Sequence, residues 1–167
     1  MRAIADAVGI RASSLYHHFP SKVDLLYAVC HVASEAFTAS QLPALAKPGP
    51  PAERLRRVMR EHILYFHEHR LEETVGRREL ATLRAEAPKD YERLQATRRE
   101  YQDAIQEVIE AGVKDKEFKV ADPKLATLAL LGLVNSIPTW FRDDGRDSIE
   151  KVADAFVEMG VGRLIAA

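Results

Sequence analysis

Cysteine is nearly missing: Cys30 stands alone among 167 residues. No disulfide can close within the chain, which excludes the small secreted scaffolds that depend on such staples. A basic start followed by an apolar run is missing as well, so residues 1–30 do not read as a secretory signal, and a reducing cytoplasm is the expected setting. Long hydrophobic runs are few. The most apolar stretch, Leu125 to Val134, is too short to cross a bilayer, and no membrane partner is expected. Neither sign of charge is in excess: 24 Lys and Arg face 25 Asp and Glu, for a net charge of -1. That balance moves the question to local patches. Within residues 1–22, Arg2, Arg11 and Lys22 face only Asp6, with His17 and His18 beside them. Alternation of apolar and polar residues with period two is not sustained anywhere, and β-branched residues are scattered, so strands are not expected.

What is present is helical. The chain is 47% hydrophobic and 29% charged, and a globular protein of this mass is expected to expose roughly 8,300 Å² when compactly folded. Prolines punctuate stretches of three- and four-residue apolar periodicity. Ser21 with Asp24 reads as a capping box, opening a helix predicted to run to about Ala39. Leu42 to Pro51 holds four prolines and a glycine and reads as a loop. Further helices are predicted over about Pro51–His69, Leu71–Ala85, Pro88–Val113, Asp122–Arg142, kinked at Pro138, and Ser148–Leu164. The expected fold class is all-α.

Catalytic signatures are absent from the sequence. There is no GxSxG, no phosphate-binding glycine loop, and Cys30 falls on a predicted core helix, so the chain is not expected to be an enzyme. The histidines do not form a metal site: His62 and His69 share a helix face but lie about 10.5 Å apart, and His67 points nearly opposite to His69. Neither metal nor cofactor is expected.

The first twenty residues carry the most informative spacing. Ala5 is small enough to admit a second helix, Gly9 supplies a turn, and Leu15 plugs the second helix into the first, with His18 and Phe19 expected on the same inward side. Ser13, Ser14, Tyr16 and His17 are left facing outward. The run Ile4-Ala5-Asp6-Ala7-Val8-Gly9-Ile10, followed by Leu15-Tyr16-His17-His18-Phe19-Pro20-Ser21-Lys22, resembles the DNA-binding segment of TetR/AcrR-family transcriptional regulators. The resemblance implies a helix-turn-helix module over residues 1–27 and an effector-binding and dimerisation body over residues 28–167. It implies that Ser13, Ser14, Tyr16, His17 and Lys22 meet the bases or phosphates of a double-stranded operator, with Arg2 and Arg11 adding positive charge. Arg11 stands where the family often has Ser or Thr, so the second helix is expected to lack its usual cap. The family also places a complete helix ahead of this motif, so the natural chain is expected to extend before Met1, and Ile4, Val8 and Leu15 are expected to miss part of their core here.

In the body, two seams face each other. Leu55, Met59, His62, Phe66 and His69 line one predicted helix; Tyr91, Leu94, Arg98, Tyr101, Ile105 and Val108 line another. Arg98 interrupts an apolar row, and a guanidinium there needs an anion, either Glu79 or another carboxylate of a neighbouring helix or the acidic group of a ligand. Candidate ligand contacts are therefore His62, Phe66, His69, Arg98 and Tyr101. Trp140 joins them because Trp140-Phe141 followed by Arg142-Asp143-Asp144-Gly145 is similar to TetR-family members that sense acyl-CoA or lipid breakdown products. The helix from Leu125 to Phe141 is apolar nearly all round. With the last helix it predicts a homodimer through Leu128, Phe141, Ile149, Val152, Phe156 and Gly160. The expected function is a ligand-responsive repressor that a small amphipathic effector, an acyl-CoA for example, releases from a palindromic operator. The competing expectation is a helical small-molecule-binding protein without DNA-binding activity.

Overall fold

A computed structural model describes residues 1–164. Among the described residues it is all-α, without a strand: α1 (Arg2–Ala7), α2 (Ala12–His18), α3 (Lys22–Ala46), α4 (Pro51–Glu68), α5 (Arg70–Glu86), α6 (Pro88–Lys114), α7 (Pro123–Trp140) and α8 (Ile149–Val161). Three of these starts use the side chains expected of them. Ser21 and Asp24 close a reciprocal capping box, and Asp122 and Ser148 cap α7 and α8 through Leu125 N and Lys151 N. The α4, α6 and α7 helices have proline in their first turn, where no N–H is needed.

The predicted loop from Leu42 to Pro51 is corrected. Helix α3 continues through Pro43 to Ala46, and only residues 47–50 connect it to α4. Pro43 removes one helical N–H near the end of the helix, but Ala44 and Leu45 beyond it are 2% and 3% exposed in the main core. Two arginines of α4 close the end. Arg54 Nε donates to the Leu45 carbonyl at 2.8 Å, and Arg57 reaches the Ala44 and Lys47 carbonyls at 3.2 Å each. These bonds occupy acceptors that the helix terminus leaves free. Helix α7 runs through Pro138 and stops at Trp140, short of the predicted Arg142, where Phe141 turns extended.

The body packs α3 against α4, α5 and α6, and α4 against α6, α7 and α8. Its main core gathers Leu55, Val58, Met59, Ile105, Ile109 and Val134, all at 0–2% exposure. A smaller cluster of Cys30, Leu83 and Leu94 joins α3, α5 and α6. The exposed surface is 10240 Å², about 2,000 Å² beyond what a compact monomer of this mass presents. The excess reflects an open cavity and uncovered helix faces.

Candidate functional site

Helices α1 and α2 form a hairpin around Ala5 and Leu15, which are 0% and 6% exposed. Gly9 has φ +71, a left-handed conformation that a side chain would strain, and it lets Ile10 N return to the Ala5 carbonyl at 3.0 Å. On the opposite side Ser13, Ser14, Tyr16 and His17 are exposed, as are Arg2, Arg11 and Lys22. Arg11 occupies the N-cap of α2 without a side-chain cap bond. His18, expected inward, is exposed instead, and Phe19 is half-buried. Ile4, Val8 and Ile10 are exposed along the hairpin's edge. Hydroxyl, phenol and cationic groups thus share one end of the molecule, the mix that donates to phosphates and base edges.

Beside the hairpin, a cavity of about 890 Å³ opens between α3, α4, α5, α6 and α7. It runs along α3 from Leu25 to Thr38, about 20 Å at helical rise, and touches Phe19 at the α2–α3 joint. His62, Phe66, His69, Arg98 and Tyr101 all line it, as their seams suggested. Trp140 does not. It packs on Phe156 of α8, with ring centroids 5.5 Å apart, because α7 turns that end of its surface away from α3.

The inner part of the cavity is aromatic. Phe37 of α3 stands edge-on to His62 and Tyr101 at 4.8 and 4.9 Å and against Phe66 at 4.8 Å. His62 is 2% exposed; its Nδ1 lies 3.1 Å from the Tyr101 hydroxyl and its Nε2 3.0 Å from Asn135 Oδ1. Burial pulls the imidazole's pKa down to about 3, only partly offset by the bond to Asn135, so His62 is neutral. Burial pushes the Tyr101 phenol up.

Nearer the hairpin, the walls carry Arg98 and Arg77 against Glu72 and Glu73. Arg98 makes no ion pair within 4.0 Å among the described residues, and the carboxylate of Glu79 instead accepts from Thr82 at 3.2 Å. Burial raises the Glu73 carboxyl, and Arg98, then Arg77, pull it part of the way back. Cys30 shares this wall, its thiol raised by burial, and behaves as a small apolar group. Glu73 and Asn135 did not stand out from residue spacing. Asn135 had a signal, since an amide in the middle of an otherwise apolar helix requires a partner.

The α7–α8 face departs from the expected interface at two residues. Ile149 is 7% exposed inside the chain's own core. Gly160 serves α7 of the same chain, since a Cβ there would stand 2.7 Å from Leu130 and 3.2 Å from Leu133. Val152, Phe156 and Phe141 are half-buried against the core, and Leu128 is exposed at the cavity's rim. The outward apolar groups are Leu125, Trp140 and Met159, at 62%, 46% and 53% exposure.

Residues 48–164 match the family model for the tetracyclin repressor-like C-terminal domain, and residues 1–29 match that for bacterial regulatory proteins of the tetR family. The chain belongs to the TetR family. Among solved structures, this TetR-family chain is similar to the transcriptional regulator PfmR from Thermus thermophilus, at 30% identity and a TM-score of 0.87 over 99% of this chain and 88% of that one. It is also similar to AibR in complex with isovaleryl coenzyme A and operator DNA, at 28% identity and a TM-score of 0.83 over 95% of this chain and 84% of that one. A tetR-family regulatory protein from Rhodococcus RHA1, at 23% identity over 99% of this chain and 86% of that one, shares the fold with a TM-score of 0.89. None of the curated proteins compared is similar enough to match. TetR-family membership makes the α1–α2 hairpin a DNA-binding helix-turn-helix and the chain a transcriptional regulator. No described helix is long and apolar enough to cross a membrane.

Proposed function

We propose that the chain is a dimeric repressor that binds a palindromic operator and is released by an acidic amphipathic effector, with acyl-CoA thioesters as the leading class. The observation that carries this reading is the cavity itself. Its size lies within the range of small-molecule sites, it is elongated rather than round, and it abuts both Phe19 and Leu25, the joint that holds α2 in place. A ligand there presses on the same residues that set the angle of the DNA-binding hairpin. Arg98 supports an acidic group on the ligand, because a half-buried guanidinium without a protein ion pair gains most from an incoming anion. The AibR complex supports the class, since that protein holds a short-chain acyl coenzyme A together with operator DNA. Ser13, Ser14, Tyr16, His17 and Lys22 are the proposed operator contacts, and the exposed parts of α7 and α8 the proposed dimer face.

The test is an anisotropy titration against an operator selected from random duplex. Binding should fall steeply with salt, and Tyr16→Ala should cost about 1–3 kcal/mol. Octanoyl-CoA should release the operator, and Arg98→Met should weaken that release about tenfold while leaving operator affinity unchanged. A complete chain that shows no preference over random duplex at moderate salt would overturn the repressor reading in favour of a binding protein without DNA activity.

A further inference from the structure

The hydrogen-bond directions around His62 determine what the α7 side of the cavity offers a ligand. Tyr101 is 4% exposed, and the one polar atom within reach of its hydroxyl among the described residues is His62 Nδ1 at 3.1 Å. Of the protein's own groups, only His62 Nδ1 offers this phenol O–H an acceptor. His62 Nδ1 therefore accepts and carries no proton. The imidazole is neutral, so its proton sits on Nε2 and is donated to Asn135 at 3.0 Å. Only a carbonyl oxygen can accept there, which turns the Asn135 carboxamide one way: Oδ1 towards His62, Nδ2 away from it. Asn135 is exposed on α7, where with Leu128, Leu131 and Gly132 it lines the open side of the cavity, and both N–H groups of its Nδ2, without a protein partner among the described residues, are left to solvent or to a ligand. His62 and Tyr101, which line the same wall, spend their polar atoms on each other and on Asn135 Oδ1.

We infer that Asn135 is the hydrogen-bond donor on the α7 side of the cavity, and that the effector carries a neutral carbonyl oxygen (ketone, ester, amide or thioester) that reaches Asn135 beside Phe37 and Phe66. His62 and Tyr101 are positioning residues that hold the carboxamide in its donating orientation. Around that point the wall is aromatic and uncharged, while Arg98 and Arg77 lie in the compartment nearer the hairpin. The ligand's carbonyl and its acidic group are therefore separate groups read by separate ends of the cavity. The inference rests on the reading of this cavity as the effector site.

The experiment uses two neutral probes that ignore Arg98, 2-nonanone and 1-nonene, titrated into the whole protein by calorimetry. Long-range nitrogen–proton NMR of His62 is recorded alongside. The NMR should show protonated Nε2 and bare Nδ1. The ratio of ketone to alkene dissociation constants should shift about fivefold against the ketone in Asn135→Asp, the size of one neutral hydrogen bond. That variant keeps an oxygen for His62 and removes the donor. Asn135→Leu combined with His62→Phe, which removes the amide without freeing the His62 Nε2–H to replace it, should give the same shift, which guards against a charge effect peculiar to the aspartate. A proton on Nδ1, or both probes binding with an unchanged ratio in both variants, would overturn the assignment. It is overturned equally if that double variant weakens only self-association and leaves the ratio unchanged, because the amide then faces a second copy. If neither probe binds although the NMR shows the stated tautomer, the cavity is not a ligand site, and it is the effector reading that has failed.

Discussion

His62 has both ring nitrogens occupied, sits 2% exposed, and has its pKa pulled down to about 3 by burial. Its unfolded value is the ordinary 6.5, so between the two the unfolded chain binds a proton that the folded chain does not. The stability that neutral His62 contributes is thus complete above pH 6.5 and is lost as pH falls towards 3. Chemical denaturation at a series of pH values should show a slope of up to about 1.4 kcal/mol per pH unit from this group. His62→Gln, which offers an acceptor and a donor but does not titrate, should flatten that slope. The residues around His62 were partly legible in the sequence. Helical spacing put His62, Phe66 and His69 on one face and Arg98 and Tyr101 on another, because three- and four-residue steps fix which side chains look the same way. Spacing could not show that the two faces enclose a space, nor that Asn135 reaches His62 across 73 positions of chain. Partners so distant in sequence are joined only by the packing of α4, α6 and α7. Nor could it choose a partner for Arg98, since Glu79 and Glu73 are both on α5 and differ only in which way the helix turns them.

At the scale of the element, α3 shows where local rules give way. Pro43 and its neighbours carry every mark of a loop, yet the helix continues because Ala44 and Leu45 are needed in the core and α4 supplies arginine donors to the last carbonyls. Propensity concerns the isolated segment, and burial of two apolar side chains together with three side-chain bonds outweighs it. Arg54→Met keeps the aliphatic stem and removes the donor to the Leu45 carbonyl. It should cost about 1.5 kcal/mol, read as a fall in Tm of about 3–6 °C, with faster amide exchange at Lys47, whose N–H closes the last turn on Pro43. The other boundaries were legible because caps and first-turn prolines mark them chemically: Ser21, Asp122 and Ser148 each stand one residue ahead of their helix. Gly160 was legible as a point of close approach but not as to what approaches, which is Leu130 of the same chain.

For the whole molecule, the surface is too large for its mass, and the uncovered apolar groups Leu125, Trp140 and Met159 lie on the two last helices. Met159 is a cleaner probe of association than Phe156, which partly supports its own protomer. Met159→Glu should leave the fold intact by circular dichroism and convert a dimer to a monomer at micromolar concentration by light scattering. Leu71→Glu, at the 77% exposed Leu71 of α5, should leave the dimer unchanged. A dimer that survives Met159→Glu places the contact elsewhere. Each copy in such a dimer carries its own helix α3. It is one unbroken rod of 25 residues, anchored at its far end by Ala44 and Leu45 in the main core and, nearer Lys22, packed through Val23, Leu26 and Cys30 on the smaller cluster shared with α5 and α6. Taking Ala44 as the fulcrum, the cavity pushes near Ala33 at a radius of about 16 Å, while Lys22 stands at about 33 Å, from a rise of ~1.5 Å per residue. A shift of about 1–2 Å where a ligand touches, ordinary for helices in switching proteins, becomes about 2–4 Å at the rod's tip. Two rods swinging symmetrically would change the span between their tips by up to twice that, a mechanical gain set by where along its length the rod is pushed.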